Sequence, residues 1–68
     1  MNVEPTYRWI AAFIASNGYS PNLREISRGT GLKYTTARFH VIRLQARGWL
    51  KREPGRLRSI VAKKVIVK

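Results

Sequence analysis

Arginine dominates the polar chemistry available to this chain. Nine of the 14 basic residues are Arg, and a planar guanidinium fork meets two acceptors at once, on a phosphate or on a base edge such as that of guanine. Arg38 and Arg43 are interleaved with Thr35, Thr36, Phe39 and Ile42, and a second group, Arg52, Arg56 and Arg58, follows within a short stretch. Catalytic chemistry has no comparable material. The three carboxylates, Glu4, Glu25 and Glu53, and the lone His40 offer no nucleophile–base pair and no metal cluster, so no enzyme is expected. The absence of cysteine removes disulfides, thiolate metal sites and cysteine nucleophiles together, and neither a cofactor nor a metal is expected.

The net charge is +11 in 68 residues, and its placement is informative. Residues 1–23 balance Arg8 against Glu4, whereas residues 24–68 set the other 13 basic residues against Glu25 and Glu53. The whole excess therefore lies in the later part of the chain. A polyanion is the natural partner, because each phosphate neutralised by Lys or Arg releases condensed counterions. An anionic membrane surface would attract the same charge, and a merely solubilising excess is the plainer alternative, although such surfaces usually mix both signs. No apolar run approaches the roughly 20 residues that span a bilayer, and the N-terminus lacks a basic segment followed by an apolar one. A soluble cytoplasmic protein without membrane attachment is expected.

A chain of this length buries only about 60% of the surface exposed when unfolded, enough for one small core and so a single domain over residues 1–68. Helix 1 is predicted from about Pro5 to Ser16, with Pro5 in the first turn and Ile10, Phe13, Ile14 and in some phasings Tyr7 on one face. Gly18 ends it. Asn17-Gly18 could also make a hairpin turn, but no two-residue alternation flanks it, which favours a helix end. Asn22 and Glu25 have capping-box spacing, so helix 2 is predicted over about Leu23 to Gly29, with Leu23 and Ile26 turned inward. Gly31 suits a left-handed turn, and Leu32 plugs the angle to the next helix.

Helix 3 is predicted to start near Thr35, as a cap, and to continue to about Arg47. With Ala37, Val41 and Leu44 inward, 100° per residue puts Thr35, Phe39, Ile42, Arg43 and Ala46 outward and Thr36 and Arg38 on the flanks. Ala37 and Ser27 are small, which lets helices 2 and 3 approach closely. Gly48 ends helix 3. Trp49 to Arg52 reads as a short strand, Glu53-Pro54-Gly55-Arg56 as a turn, and Leu57 to Val61 as the returning strand. Residues 62–68 are left open between a basic tail and a strand extension. The expected fold class is α+β, a three-helix bundle with a C-terminal two-stranded β-hairpin, which is the plan of a winged helix-turn-helix.

In that plan the second helix of the pair, helix 3 here, is the one offered to a DNA groove. Arg38 and Arg43 suit phosphates and bases alike, since half or more of such hydrogen bonds go to phosphate and sugar. Phe39 and Ile42 can meet thymine methyls, or with Ala46 form a stripe for a protein partner or an additional core contact. His40 borders the buried face and reads as a packed or surface histidine rather than a switch. Trp9 and Trp49 read as core or core-edge residues rather than stacking platforms. Arg52, Arg56 and Arg58 are assigned to phosphates or the minor groove, with a solvated hairpin as the alternative.

Gly18-Tyr19-Ser20-Pro21-Asn22-Leu23-Arg24-Glu25-Ile26, followed by His40-Val41, Leu44 and Arg47-Gly48-Trp49-Leu50, resembles the N-terminal DNA-binding domain of the LexA repressor family over roughly residues 5 to 61. The resemblance implies operator binding with bases contacted from the start of helix 3. Transferred by position, those contacts fall on Thr35, Thr36, Arg38 and Phe39, with Lys33 and Tyr34 just before them. Full members of the family carry a C-terminal self-cleaving peptidase domain that also supplies dimerisation. The sequence to Lys68 has none, so self-cleavage is not expected of it. Bulky Phe39 and basic Arg38 at base-reading positions mean that the family's operator does not transfer.

The expected function is sequence-specific binding of double-stranded DNA in transcriptional repression. Helix 3 would lie in the major groove, and Arg24 at the start of helix 2 and the wing would lie on phosphates. A homodimer on DNA is compatible with it. The alternatives are a protein-interaction module working through Phe39, Ile42 and Ala46, and an architectural factor that bends DNA in recombination or replication.

Overall fold

The computed structural model describes residues 2–52 and 60–62. Three helices come first: α1 (Glu4–Asn17), α2 (Leu23–Thr30) and α3 (Tyr34–Ala46). Two short strands follow, β1 (Leu50–Lys51) and β2 (Val61–Ala62). They pair antiparallel, with Leu50 opposite Ala62 and Lys51 opposite Val61. This is the winged helix-turn-helix order expected from the sequence. Ala62 belongs to a strand, which extends the returning strand one residue beyond its expected end, while the expected turn, Glu53 to Arg56, and residues 57–59 and 63–68 lie outside the described residues.

Each helix boundary has a local cause. Pro5 sits in the first turn of α1, where its missing N–H is no loss. Gly18 closes the helix at φ 75° and donates its amide to the Ile14 carbonyl at 2.9 Å. Only glycine adopts that left-handed conformation without strain. At the start of α2 the Asn22 side chain accepts the Glu25 amide at 2.8 Å, and the Asn22 amide donates to Glu25 Oε1 at 3.0 Å, completing the capping box. Gly31, at φ 76°, makes the turn toward α3.

The cap of α3 differs from the sequence reading, while the other helix ends fall within one residue of it. α3 begins at Tyr34 with Lys33 as its cap residue, and among the described residues no side chain caps it. The Ala37 amide already reaches the Lys33 carbonyl at 2.9 Å. Thr35 therefore stands inside the first turn, where its hydroxyl does not cap the helix.

The core joins Tyr7 and Ile10 of α1, Ile26 of α2, Ala37, Val41 and Leu44 of α3, and Val3, Leu50 and Ile60. Ala37, Val41 and Leu44 point inward as their spacing requires, and Leu23 and Leu32 pack on the edge. Trp49 meets Tyr7 edge to face, with centroids 5.4 Å apart and planes at 74°. Trp9 is also half-buried against the core, so both tryptophans occupy the core-edge places expected of them. The inward face of α1 is set by Val3, Thr6, Tyr7 and Ile10, with Ile14 packed on its margin. Phe13 leaves that face and lies between Trp9 and Tyr19, at centroid distances of 5.3 and 5.5 Å.

Candidate nucleic-acid interface

α3 is held from three sides before its outer face is presented. Ala37, with only a methyl group, lets it lie close to α2. The α2–α3 turn is fastened by Ser27 Oγ, which donates to the Leu32 carbonyl at 2.6 Å, and by Thr30 Oγ1, which donates to the Ile26 carbonyl at 2.6 Å. Toward α1, buried His40 shares a 2.7 Å hydrogen bond with Thr6 through Nδ1. Burial pushes the His40 pKa below its ordinary value of 6.5, because a charged imidazole is poorly solvated there. The histidine is packed, as expected, and its partner Thr6 lies 34 positions away, beyond the reach of sequence reasoning.

The wing is tied to the same framework. Ser20, in the loop before α2, is buried, and its Oγ accepts the Ile60 amide at 3.0 Å. This bond joins the returning strand to the loop that precedes the helix pair.

The outer strip of α3 mixes charge, hydroxyl and ring. Lys33, Tyr34, Thr35, Arg38, Phe39, Ile42, Arg43 and Ala46 are exposed, and Thr36 is half-buried. Large apolar surface is included: Tyr34 is 48% exposed, Phe39 46% and Ile42 43%. Arg43 and Phe39 are one helical turn apart, and Arg43 Cζ lies 5.2 Å from the Phe39 ring centroid. Because helical side chains lean toward the N-terminus, this contact folds the guanidinium back over the preceding turn.

The remaining candidate residues are spread around this strip. Arg24 is exposed in the first turn of α2, and Arg52 is half-buried just beyond β1. Arg56 and Arg58 lie outside the described residues. Besides Arg8, which pairs with Glu4, three exposed cations were not among the candidate contact residues: Arg28, Arg47 and Lys51. The charge excess was the available signal for them, but counting charge does not tell which cation faces solvent. Arg47 has a specific neighbour, its Cζ lying 5.8 Å from the Trp49 ring centroid. Among the described residues the one ion pair is Arg8 to Glu4 at 3.0 Å, on the exposed side of α1.

The LexA DNA binding domain family matches residues 5–59. The chain belongs to that family. The LexA repressor of Koribacter versatilis is 42% identical over 55 residues, covering 79% of this chain and 26% of that protein. The LexA repressor of Caldicellulosiruptor saccharolyticus is 40% identical over 58 residues, covering 84% of this chain and 29% of that protein. The LexA repressor of Mycobacterium leprae is 40% identical over 52 residues, covering 75% and 22%. The chain thus spans about a quarter of the length of these LexA relatives. The LexA match takes in α1 from Pro5 onward, all of α2 and α3, and β1.

Proposed function

We propose that this chain binds double-stranded DNA sequence-specifically, with α3 in the major groove, and acts as a repressor-like regulator of transcription. The observation that carries the proposal is the exposed strip of α3, with cations, hydroxyls and an aromatic ring on one side of a helix that a LexA-type match brackets. In the groove Lys33, Tyr34, Thr35, Thr36, Arg38 and Phe39 face base edges, and Arg43 shares that strip. Arg24, Arg52, Arg56 and Arg58 take phosphates or the minor groove. Residues 1–68 serve as one DNA-binding domain, two copies of which bind as a homodimer on an inverted site. A regulator rather than an enzyme is the reading that family membership supports, and DNA association puts the protein inside the cell.

Binding-site selection from random duplexes, followed by a salt series, tests this reading. A defined sequence should emerge, and with four to six phosphate contacts log K should fall against log salt with a slope of roughly −4 to −5. A flat response with no selected sequence would remove it. The exposure of Phe39, Ile42 and Ala46 also favours a second reading, a protein-binding stripe. Loss of a protein complex in Phe39→Ala, with DNA affinity intact, would support that one.

A further inference from the structure

We propose that Phe39 and Arg43 act as one reading unit, and that the unit recognises a thymine next to a guanine. The inference rests on α3 lying in the major groove, and it goes beyond that by naming the base step.

Two observations combine here. The Arg43 guanidinium lies over the Phe39 ring, with Cζ 5.2 Å from the centroid, while both residues remain exposed. A guanidinium that stacks flat on an aromatic ring keeps its N–H donors pointing outward in its own plane, free for a further partner. Those donors match the paired acceptors O6 and N7 that only guanine shows in the major groove. Folding back over Phe39 also carries the donors toward the start of α3, the end that enters the groove, and away from the backbone at the far end.

The ring itself requires an apolar counterpart. Phe39 is 46% exposed, and the thymine C5-methyl is the apolar group that the major groove offers. One turn of helix joins the ring and the cation, so the methyl and the guanine edge they meet belong to neighbouring base pairs. The charge of Arg43 and the surface of Phe39 are thereby satisfied together, which neither a phosphate nor an apolar protein surface would do.

The test uses the intact chain and the duplex obtained by site selection. Replacing its thymines one at a time by deoxyuridine removes single methyl groups and leaves every hydrogen bond in place. For the wild-type chain, one such position should weaken binding about fourfold, the worth of one buried methyl. Phe39→Ala should be indifferent to that replacement. At the neighbouring guanine, an analogue with carbon in place of N7 should weaken wild-type binding and leave Arg43→Ala unaffected, and Phe39→Ala should reduce this guanine penalty as well. Both substituted residues are exposed, and the modified duplexes probe the unaltered protein, so folding does not confound the result.

A wild-type chain that discriminates its site from random DNA but is insensitive to every deoxyuridine replacement would overturn the inference while the wider DNA-binding reading stands. Independent thymine and guanine penalties, unaffected by the partner substitution, would overturn the coupling. A wild-type chain with no preference for any duplex would remove both readings.

Discussion

The Thr6 hydroxyl and the Nδ1 of His40 lie 2.7 Å apart in a buried contact between α1 and α3. Folding favours the neutral form of this imidazole, because burial lowers its pKa from the ordinary 6.5. In the unfolded chain it titrates normally. At a pH between the folded and unfolded values the unfolded state therefore binds the extra proton, and stability rises with pH. Full stability should be present above about pH 6.5 and should fall progressively as acid is added toward the folded pKa. Thermal melts between about pH 5 and 8 should show this loss, and His40→Gln should flatten it. An unchanged pH slope in that variant would discount His40. Thr6→Val leaves the buried nitrogen without its partner and should cost about 1–3 kcal/mol at neutral pH.

Gly29 faces Trp9 so closely that a Cβ there would overlap the indole. Gly29→Ala must push the ring or separate α1 from α2, and overpacking of this kind costs roughly 1–3 kcal/mol. Ordinary helix propensity predicts the opposite sign, because Ala exceeds Gly by about 1 kcal/mol in a helix interior. Urea unfolding of the two proteins decides between them. A more stable Gly29→Ala variant would mean that Trp9 moves aside freely.

Ser20→Ala should loosen the wing. Its Oγ accepts the Ile60 amide in a buried site, so its removal leaves that N–H unsatisfied at about 1–3 kcal/mol. Hydrogen exchange at Ile60 should accelerate more than at Val41 in the centre of α3. Equal acceleration at both would indicate general unfolding rather than release of the strand.

On DNA, Arg38→Ala should narrow the ratio between selected and random duplex by about 1–3 kcal/mol, as loss of a base contact does. Arg24→Ala, at the start of α2, should weaken both kinds of DNA alike and reduce the salt slope by about one. Fluorescence anisotropy at several salt concentrations measures both effects. If Arg38→Ala lowered the two affinities equally, Arg38 would be a phosphate contact.

The helix ends at Gly18 and Gly31, the capping box of α2 and the outward strip on α3 were readable from local order along the chain. Asn22 with Glu25, Gly18, Gly31 and the spacing of Ala37, Val41 and Leu44 act over a few residues, so their consequences are written in neighbouring letters. The cap of α3 falls at Lys33, two residues before Thr35, which has the chemistry of a cap but not the position of one.

What folding alone decided concerns residues far apart in the chain. Thr6 and His40 are separated by 34 positions and Ser20 and Ile60 by 40, and nothing in either neighbourhood announces the other. Gly29 resembles a helix weakness until Trp9 is set against it. Local pattern determines which elements form and which face each turns inward. The pairing of particular polar groups depends on how those faces close on one another, because a hydrogen bond or an overlap is fixed to within an ångström by packing that the order of residues does not record.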